Sequence, residues 1–215
     1  MKVLYEDNHL IAVYKPAGTL VQGDETGDVC LMDLVKEYLK EKYQKPGAVF
    51  LGLIHRLDRP VSGIVLFAKT SKGASRLSEQ FRAHTVTKIY HALVEGNIEK
   101  KEGVLVHYIV KDHGKNTVAV YDAPKGDAKY AELKYQVVES REENTVVEIE
   151  LKTGRSHQIR SQFAHIGHPL LGDGKYGAQK EYKKGAIALA AVELQFDQPV
   201  TGERVTITEP ENFIV

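Results

Sequence analysis

Several features that mark particular classes of protein are scarce in this sequence or missing from it. The 215 residues include a single cysteine, Cys30, which excludes an internal disulfide framework and a cysteine-rich zinc site. No apolar run approaches the roughly 20 residues that a membrane-spanning helix requires. The start of the chain also lacks the apolar core of a signal peptide. We therefore expect a soluble, cytoplasmic protein with no membrane partner.

Motifs of cofactor-dependent and zinc-dependent enzymes are missing as well. There is no phosphate-binding loop, no dinucleotide fingerprint, no His-Glu-x-x-His and no Gly-x-Ser-x-Gly. Three histidines, His157, His165 and His168, lie in one short segment, but neither a cysteine nor a paired acidic ligand accompanies them. We predict that the protein uses no metal and no cofactor.

Charge of one sign does not dominate, because 29 basic side chains balance 29 acidic ones. The balance conceals two basic segments, residues 55–90 and 151–184, each with seven Lys or Arg against two Asp or Glu. A globally basic nucleic-acid binder is excluded, whereas a protein with one basic face is not. On charge alone, the simpler interpretation is that these side chains solvate two helices.

The apolar pattern predicts an α+β fold, with a mixed and mostly antiparallel sheet, flanking helices and one domain over residues 1–215. Helical spacing occurs at 31–39, at 71–81 with Ser71 as the N-cap, and at 156–166. Strand-like runs are more numerous. They are 9–15, 48–54, 64–68, 89–95, 104–110, 117–121, 131–138, 146–151, 188–196 and 205–208.

Two polar segments carry candidate chemistry. In His55–Gly63, Asp58 stands between Arg56 and Arg59, and nearby positive charge favours an ionised carboxylate suited to act as a nucleophile or charge stabiliser. A loop ion pair that only fixes a turn is an equally good interpretation. In Thr153–Arg160, threonine, glycine and serine stand before a helix, and Arg155 and Arg160 lie close to its start, which is typical of an anion site. A surface helix with solvating arginines is the alternative there.

Four segments resemble motifs of the RluA-type pseudouridine synthases, in the order and spacing of that family. The first contains Lys15-Pro-Ala-Gly18, and the second is the Asp58 segment continued into Ile64–Lys69. The third is Lys88–Gly96, which resembles the tyrosine motif of the family. The fourth, Thr153–Gly177, resembles its C-terminal motif. Together they cover nearly the whole chain.

The resemblance implies an enzyme that converts uridine in structured RNA to pseudouridine in a basic catalytic cleft, without cofactor or metal. Asp58 would be the catalytic carboxylate, Arg160 would pair with Asp58, and Tyr90 would lie against the base and assist proton removal from C5. The target nucleotide would have to leave its stack. The residues that the resemblance assigns to RNA binding are His55, Arg56, Arg59, Arg155, His157 and Gln158.

The departures from the family pattern are mild. Many members carry Thr in place of Val61 and Val-His in place of Ser161-Gln162. Only about a dozen residues precede the Lys-Pro-Ala-Gly segment, which indicates a stand-alone catalytic domain without an S4 domain. We also expect a monomer. The RNA, whether rRNA or tRNA, stays open. The alternatives are a non-catalytic RNA-binding protein that retains the synthase fold and a hydrolase that uses Asp58 with a histidine.

The confined positive charge yields a prediction about RNA binding. We expect weak affinity that falls steeply with salt, with a log–log slope of roughly −0.7 for each single-strand phosphate contact. Replacing Arg155 with alanine should flatten the slope by about one such contact. Filter binding across a salt series measures this slope. An unchanged slope would remove Arg155 from the phosphate contacts.

Overall fold

A computed structural model describes residues 1–112, 114, 116–210 and 213 of the chain. The helices are Leu31–Lys42 (α1), Ser71–Arg82 (α2) and Gln158–His165 (α3), and a 3₁₀ turn spans Gly174–Tyr176. The strands are Val3–Glu6 (β1), Leu10–Lys15 (β2), Gly52–Leu53 (β3), Ser62–Ala68 (β4), Thr87–Glu95 (β5), Glu102–Asp112 (β6), Thr117–Tyr121 (β7), Lys129–Ser140 (β8), Asn144–Leu151 (β9), Leu189–Asp197 (β10) and Arg204–Thr208 (β11). None of the helices within these residues is long and apolar enough to cross a membrane.

The chain divides into two compact units. Unit 1 consists of Met1–Val86 and Val192–Pro210, and unit 2 contains Thr87–Ala191 and Phe213. In unit 1 the strands follow the order β1-β2-β4-β10, while β11 pairs with β10 and β3 pairs with β4. The β2–β4 pair is antiparallel and runs from Leu10 opposite Ala68 to Lys15 opposite Gly63. This register brings the first and second family-like segments side by side.

Helix α2 covers the apolar core of unit 1. Leu77 of this helix is buried together with side chains of β2, β4, β10 and β11, and Ala74 and Phe81 pack against the same cluster. The hydroxyl of Thr70 accepts a hydrogen bond from the backbone N–H of Gly73 at 3.1 Å, so Thr70 is the N-cap. The prediction of Ser71 as N-cap is wrong by one residue, because Thr70 already has the extended backbone of a cap.

Unit 2 contains a sheet of antiparallel neighbours in the order β5-β9-β8-β6-β7. Strand β5 alternates strictly over its first half, so that Lys88, Tyr90 and Ala92 share the buried face. Helix α3 has packing contacts with β6 and β7. The third and fourth family-like segments therefore both belong to unit 2.

The predicted α+β class, with a mostly antiparallel sheet and three flanking helices, is confirmed. Three details of the prediction are wrong. The run at 48–54 contributes only Gly52–Leu53 as a strand, because Phe50 is 49% exposed and does not enter a core. Helix α3 begins at Gln158 and not at Ser156, since His157 has a left-handed backbone with φ of 51°. Strand β1 was not predicted.

Glu6, at the end of β1, anchors helix α1 within unit 1. Its carboxylate accepts hydrogen bonds from Lys42 Nζ, Lys69 Nζ and the Tyr43 hydroxyl, each at 2.7 Å. Burial by itself raises the pKa of Glu6, but these hydrogen bonds outweigh burial and hold the pKa at about 2, compared with its ordinary 4.5. The carboxylate thus stays ionised and joins a strand to the end of a helix.

We predict that Glu6→Gln lowers the free energy of unfolding at pH 7 by about 2–3 kcal/mol, which is the order that this pKa difference implies. A lowered carboxyl pKa stabilises the fold above pH 4.5, and this contribution is lost as the pH falls towards 2. The difference between wild type and variant should shrink over that interval. Urea unfolding at several pH values measures it. Glu143→Gln, which removes an exposed carboxylate, should have little effect. A constant difference from pH 7 to pH 2 would contradict the prediction.

Candidate functional site

Asp58 lies in the loop that connects β3 to β4 in unit 1. Its side chain is half-buried, whereas the neighbouring Arg56 and Arg59 are exposed. The Asp58 carbonyl accepts a hydrogen bond from the backbone N–H of Val61 at 3.0 Å, which closes a tight turn directly before β4. The arrangement places a carboxylate at the entrance to a rigid, buried strand, with two guanidinium groups next to it in sequence.

The ammonium group of Lys15 lies beside this loop and is fully buried. It donates to the carbonyl oxygens of Thr19, Arg59 and Pro16 at 2.7, 3.0 and 3.1 Å. Burial lowers the pKa of Lys15 from its ordinary 10.5 to about 8, while the negative charge of Asp58 acts in the opposite direction. Because this attraction is mutual, Lys15 provides positive charge to the Asp58 carboxylate from within unit 1.

Arg59 joins the Asp58 loop to the Lys15-Pro-Ala-Gly18 segment. Its carbonyl accepts from the backbone N–H of Gly18 at 2.8 Å, and its Nε donates to the carbonyl of Gly18 at 3.0 Å. Its Nη2 also forms an exposed ion pair with Asp28 at 2.6 Å. The two segments are therefore held together by backbone and side-chain hydrogen bonds.

His55 packs inside unit 1. Its Nε2 accepts a hydrogen bond from the backbone N–H of Leu66 at 3.0 Å. Its ring stacks on Phe81, with 5.0 Å between centroids and an interplanar angle of 17°. These contacts position the start of the Asp58 loop against β4 and α2, and a role of His55 towards RNA stays a prediction.

In unit 2, Arg160 on helix α3 forms a buried, bidentate ion pair with Asp173. Nε and Nη2 donate to the two carboxylate oxygens at 2.7 and 2.8 Å, and the two residues are only 5% and 1% exposed. The guanidinium also lies 5.1 Å from the centre of the Tyr176 ring, whose hydroxyl bonds to Nδ1 of His157 at 2.7 Å. A guanidinium has five N–H donors, so the pair with Asp173 leaves capacity for a second carboxylate. The predicted pair with Asp58 stays a prediction.

Gln158 organises the turn that precedes α3. Its Oε1 accepts from the Thr153 hydroxyl at 2.7 Å and from the backbone N–H of Arg155 at 3.0 Å, and its Nε2 donates to the Glu132 carbonyl at 3.0 Å. These bonds use the polar atoms of the buried side chain inside unit 2. Arg155 itself is exposed, with its Nε bonded to the Tyr130 carbonyl at 3.1 Å. Gln158 therefore positions the backbone from which Arg155 projects.

Tyr90 and Lys88 lie two residues apart on the buried face of β5. Lys88 is 8% exposed, and the residues that the structure describes include no hydrogen-bond or ion-pair partner for its ammonium group. Burial, and after it the positive charge of Lys152, lowers the pKa of Lys88 to about 8. A buried cation of this kind is costly, which indicates that Lys88 serves a purpose other than stability.

The structure distributes the predicted residues between the two units and adds three that were not assigned a role. Unit 1 contains Asp58, His55, Arg56 and Arg59, and unit 2 contains Tyr90, Arg160, Arg155, His157 and Gln158. The added residues are Lys15, Lys88 and Asp173. Each lies inside a family-like segment, and the alternation of β5 could have placed Lys88 on the Tyr90 face. No comparable pattern in the sequence could have predicted which residues Lys15 and Asp173 contact.

The three histidines that could have suggested a metal site do not form a cluster of ligands. Nδ1 of His157 bonds to the Tyr176 hydroxyl, and Nδ1 of His168 bonds to the Glu95 carbonyl at 2.8 Å. Among the described residues, His165 instead lies close to two other potential metal ligands, His107 and Asp122.

The two buried lysines give a matched pair of predictions. Lys88→Met should raise the free energy of unfolding at pH 7 by up to roughly 3 kcal/mol, since it removes a buried charge whose pKa is lowered from 10.5 to about 8. Lys15→Met should lower it by about 1–3 kcal/mol or more, because the carbonyls of Pro16, Thr19 and Arg59 lose the hydrogen bonds that Lys15 donates.

The pH dependence separates these effects from a general change in packing. A lowered lysine pKa means that wild type gains stability between about pH 8 and 10.5, where folded Lys88 has lost its proton and the unfolded chain has not. The difference in free energy of unfolding between Lys88→Met and wild type should therefore disappear over that interval. Chemical unfolding from pH 7 to 10.5 measures it, with exposed Lys100→Met as the control. If Lys88→Met were less stable than wild type, the ammonium group of Lys88 would have to have a stabilising partner, and the prediction would be wrong.

Comparison with known proteins identifies the family. The profile of the RNA pseudouridylate synthase family matches residues 9–165, which is well over half of the chain. The chain is 29% identical over 236 residues to tRNA pseudouridine synthase C of Pectobacterium carotovorum, covering 96% of this chain and 58% of the relative. It is 33% identical over 214 residues to ribosomal large subunit pseudouridine synthase C of Vibrio cholerae, covering 97% and 65%. The chain thus spans less than two thirds of the length of these two relatives.

A solved structure agrees with this assignment. The structure of human RNA Pseudouridylate Synthase Domain Containing 4 superposes with a TM-score of 0.79 at 25% sequence identity, covering 97% of this chain and 88% of that one. The match extends over both units and over all four segments that resemble synthase motifs. The chain belongs to the RNA pseudouridylate synthase family.

Proposed function

We propose that this protein isomerises uridine to pseudouridine in structured rRNA or tRNA, with Asp58 as the catalytic carboxylate. The observation that carries the proposal is the Asp58 loop itself. Its backbone is fixed by a buried ammonium group, its carboxylate is half-buried, and exposed guanidinium groups adjoin it. A loop that served only as a turn would not need a buried cation to hold it.

The chemistry of the reaction matches these groups. The bond between N1 of uracil and C1′ of ribose breaks, and a bond between C5 and C1′ forms. The proton on C5 leaves and N1 gains a proton, so the reaction is an isomerisation that needs no oxidant or reductant. Asp58 attacks the ribose or assists departure of the base, and Tyr90 lies against the base and helps to remove the C5 proton.

Arg160 would hold Asp58 ionised and oriented. Its own position is fixed by the bidentate pair with Asp173 and by the Tyr176 ring. A guanidinium anchored in this way can present its remaining N–H donors to a second carboxylate without losing side-chain freedom at the moment of binding. Asp173 is then a positioning residue that acts through Arg160.

RNA binding would rely on the exposed guanidinium groups of Arg56, Arg59 and Arg155, which can contact phosphates. His55, His157 and Gln158 would contribute to RNA binding indirectly, because they position the segments that carry the arginines. Lys88 lies on the Tyr90 face of β5, and we include it as a further contact for the target nucleotide. Because a carboxylate reaches C1′ only after the nucleotide leaves its stack, base flipping is part of the proposal.

The two relatives named above act on tRNA and on large-subunit rRNA, so the RNA class stays open between them. We propose further that the two units work as one catalytic domain of a monomeric, cytoplasmic enzyme. A non-catalytic RNA-binding protein with the synthase fold is the second candidate. The carboxylate favours the enzyme, because a negative charge near phosphates weakens binding and is useful only for chemistry.

Asp58→Asn tests the proposal, since it keeps size and hydrogen bonding but removes the negative charge. We expect pseudouridine formation to fall below detection, while RNA affinity stays the same or increases. The measurement is detection of carbodiimide-reactive uridines in rRNA and tRNA transcripts after incubation with the protein, together with filter binding and thermal unfolding.

Asp127→Asn, which changes an exposed carboxylate, should leave all three measurements at wild-type values. Substantial turnover by folded Asp58→Asn protein would remove Asp58 from the catalytic role. RNA binding by wild-type protein with no pseudouridine in either class of transcript would favour the non-catalytic candidate.

A further inference from the structure

We propose that unit 2 contains a binding site for one divalent transition-metal ion, formed by His107, Asp122 and His165. The three side chains come from separate parts of unit 2. His107 is on β6, Asp122 directly follows β7, and His165 is the last residue of α3. The site lies outside the residues assigned to catalysis and does not depend on the proposed function.

The distances between the ligand atoms fit a single ion. Oδ1 of Asp122 is 2.9 Å from Nε2 of His165 and 3.7 Å from Nε2 of His107, and one ligand atom from each residue lies within 4.8 Å of the others. In tetrahedral coordination at about 2.0–2.1 Å, ligand atoms are about 3.3 Å apart. The two distances to Oδ1 bracket this value, and the two imidazole nitrogens lie within 4.8 Å of each other, so the three side chains can close on one ion by rotation.

The burial of the three groups suits a site with an open position. His107 is buried, whereas the side chains of His165 and Asp122 are 32% and 82% exposed. Burial favours neutral imidazole, which is the form that coordinates a metal. The two exposed ligands give the ion a path from solvent and leave room for water as the fourth ligand.

Gln162 provides a partner for the second nitrogen of His107. Its Nε2 lies 2.9 Å from Nδ1 of His107, and its buried Oε1 has no hydrogen-bond partner. Coordination through Nε2 places the ring proton on Nδ1, which then needs an acceptor. A half-turn of the amide brings Oε1 to Nδ1, but it also turns Oε1 towards the carbonyl oxygens of Leu105 and Ala131, which accept from Nε2 at 3.3 Å. Coordination of the ion therefore has to offset the loss of these two bonds and the approach of oxygen atoms to one another.

The donor set selects the class of ion. Two imidazoles and one carboxylate suit Zn²⁺, Ni²⁺ or Cu²⁺, whereas Mg²⁺ prefers oxygen ligands. The T-shaped contact between the rings of His107 and His165, with centroids 4.9 Å apart, keeps the two imidazole donors next to each other. An ion bound there would connect the end of α3 to β6 and β7.

Zinc titration of the full chain, after removal of any affinity tag and treatment with a chelator, tests the proposal. In competition with a chromophoric zinc indicator, we expect one Zn²⁺ per chain. His165→Ala and Asp122→Ala should weaken binding by about 100-fold and at least 10-fold, because each removes a ligand. Gln162→Leu should weaken binding by about 10-fold through loss of the partner of His107.

His91→Ala is the matched control, because His91 also pairs with a carboxylate in unit 2, Glu148 at 3.2 Å, and the described residues include no third potential ligand there. It should bind Zn²⁺ as wild type does. The thermal unfolding midpoint should rise with Zn²⁺ concentration in wild type and in His91→Ala, and not in Asp122→Ala. His165→Ala and Asp122→Ala change exposed side chains and should fold. They therefore test the site even if His107→Ala, which changes a buried side chain, does not fold.

Three results would overturn the proposal. The first is failure of wild type to bind one equivalent of Zn²⁺, which would leave an ordinary hydrogen bond between His165 and Asp122. The second is equal loss of binding in His91→Ala and His165→Ala, which would indicate non-specific binding by surface histidines. The third is equal stabilisation by Mg²⁺, which would contradict the nitrogen donors.

Discussion

The buried ammonium group of Lys15 is the interaction on which the arrangement of unit 1 around Asp58 depends. It donates hydrogen bonds to three loop carbonyls, and one of these belongs to Arg59, next to Asp58. A neutral side chain could fill the same volume but could not donate three hydrogen bonds. The lowered pKa of Lys15 reflects the cost of burial, which the hydrogen bonds and the Asp58 charge offset in part.

Unit 2 applies the same principle with a guanidinium group. The Arg160–Asp173 pair is bidentate and almost fully buried, so removal of either partner would leave an uncompensated charge at a cost of about 3–5 kcal/mol. Such a pair contributes little net stability compared with apolar residues, but it fixes the direction of the guanidinium. A fixed orientation, rather than added stability, is what the proposed role of Arg160 towards Asp58 requires.

The balanced net charge of the chain therefore has a structural explanation. Some of the positive charge in the two basic segments is buried, as in Arg160 and Lys88. The rest is exposed, as in Arg56 and Arg155, and remains available to phosphates. The simpler interpretation of these segments, solvating charge on two helices, does not describe Lys88, which is a strand residue facing a buried layer.

The sequence by itself determined the α+β class, helices α1 and α2, most strands of unit 2 and the family, because periodicity and motif order are local properties of the chain. Some of the errors lie at element ends, as at His157 and Thr70, where the backbone conformation decides. The others concern whole strands of unit 1, since β1 was not predicted and the run at 48–54 is a strand only at Gly52–Leu53. Only the tertiary structure decided that Asp173 holds Arg160 and that His107 and Asp122 meet His165. These partners are 13 to 58 residues apart in the chain, and strand register and helix packing, not local sequence, determine which distant side chains meet.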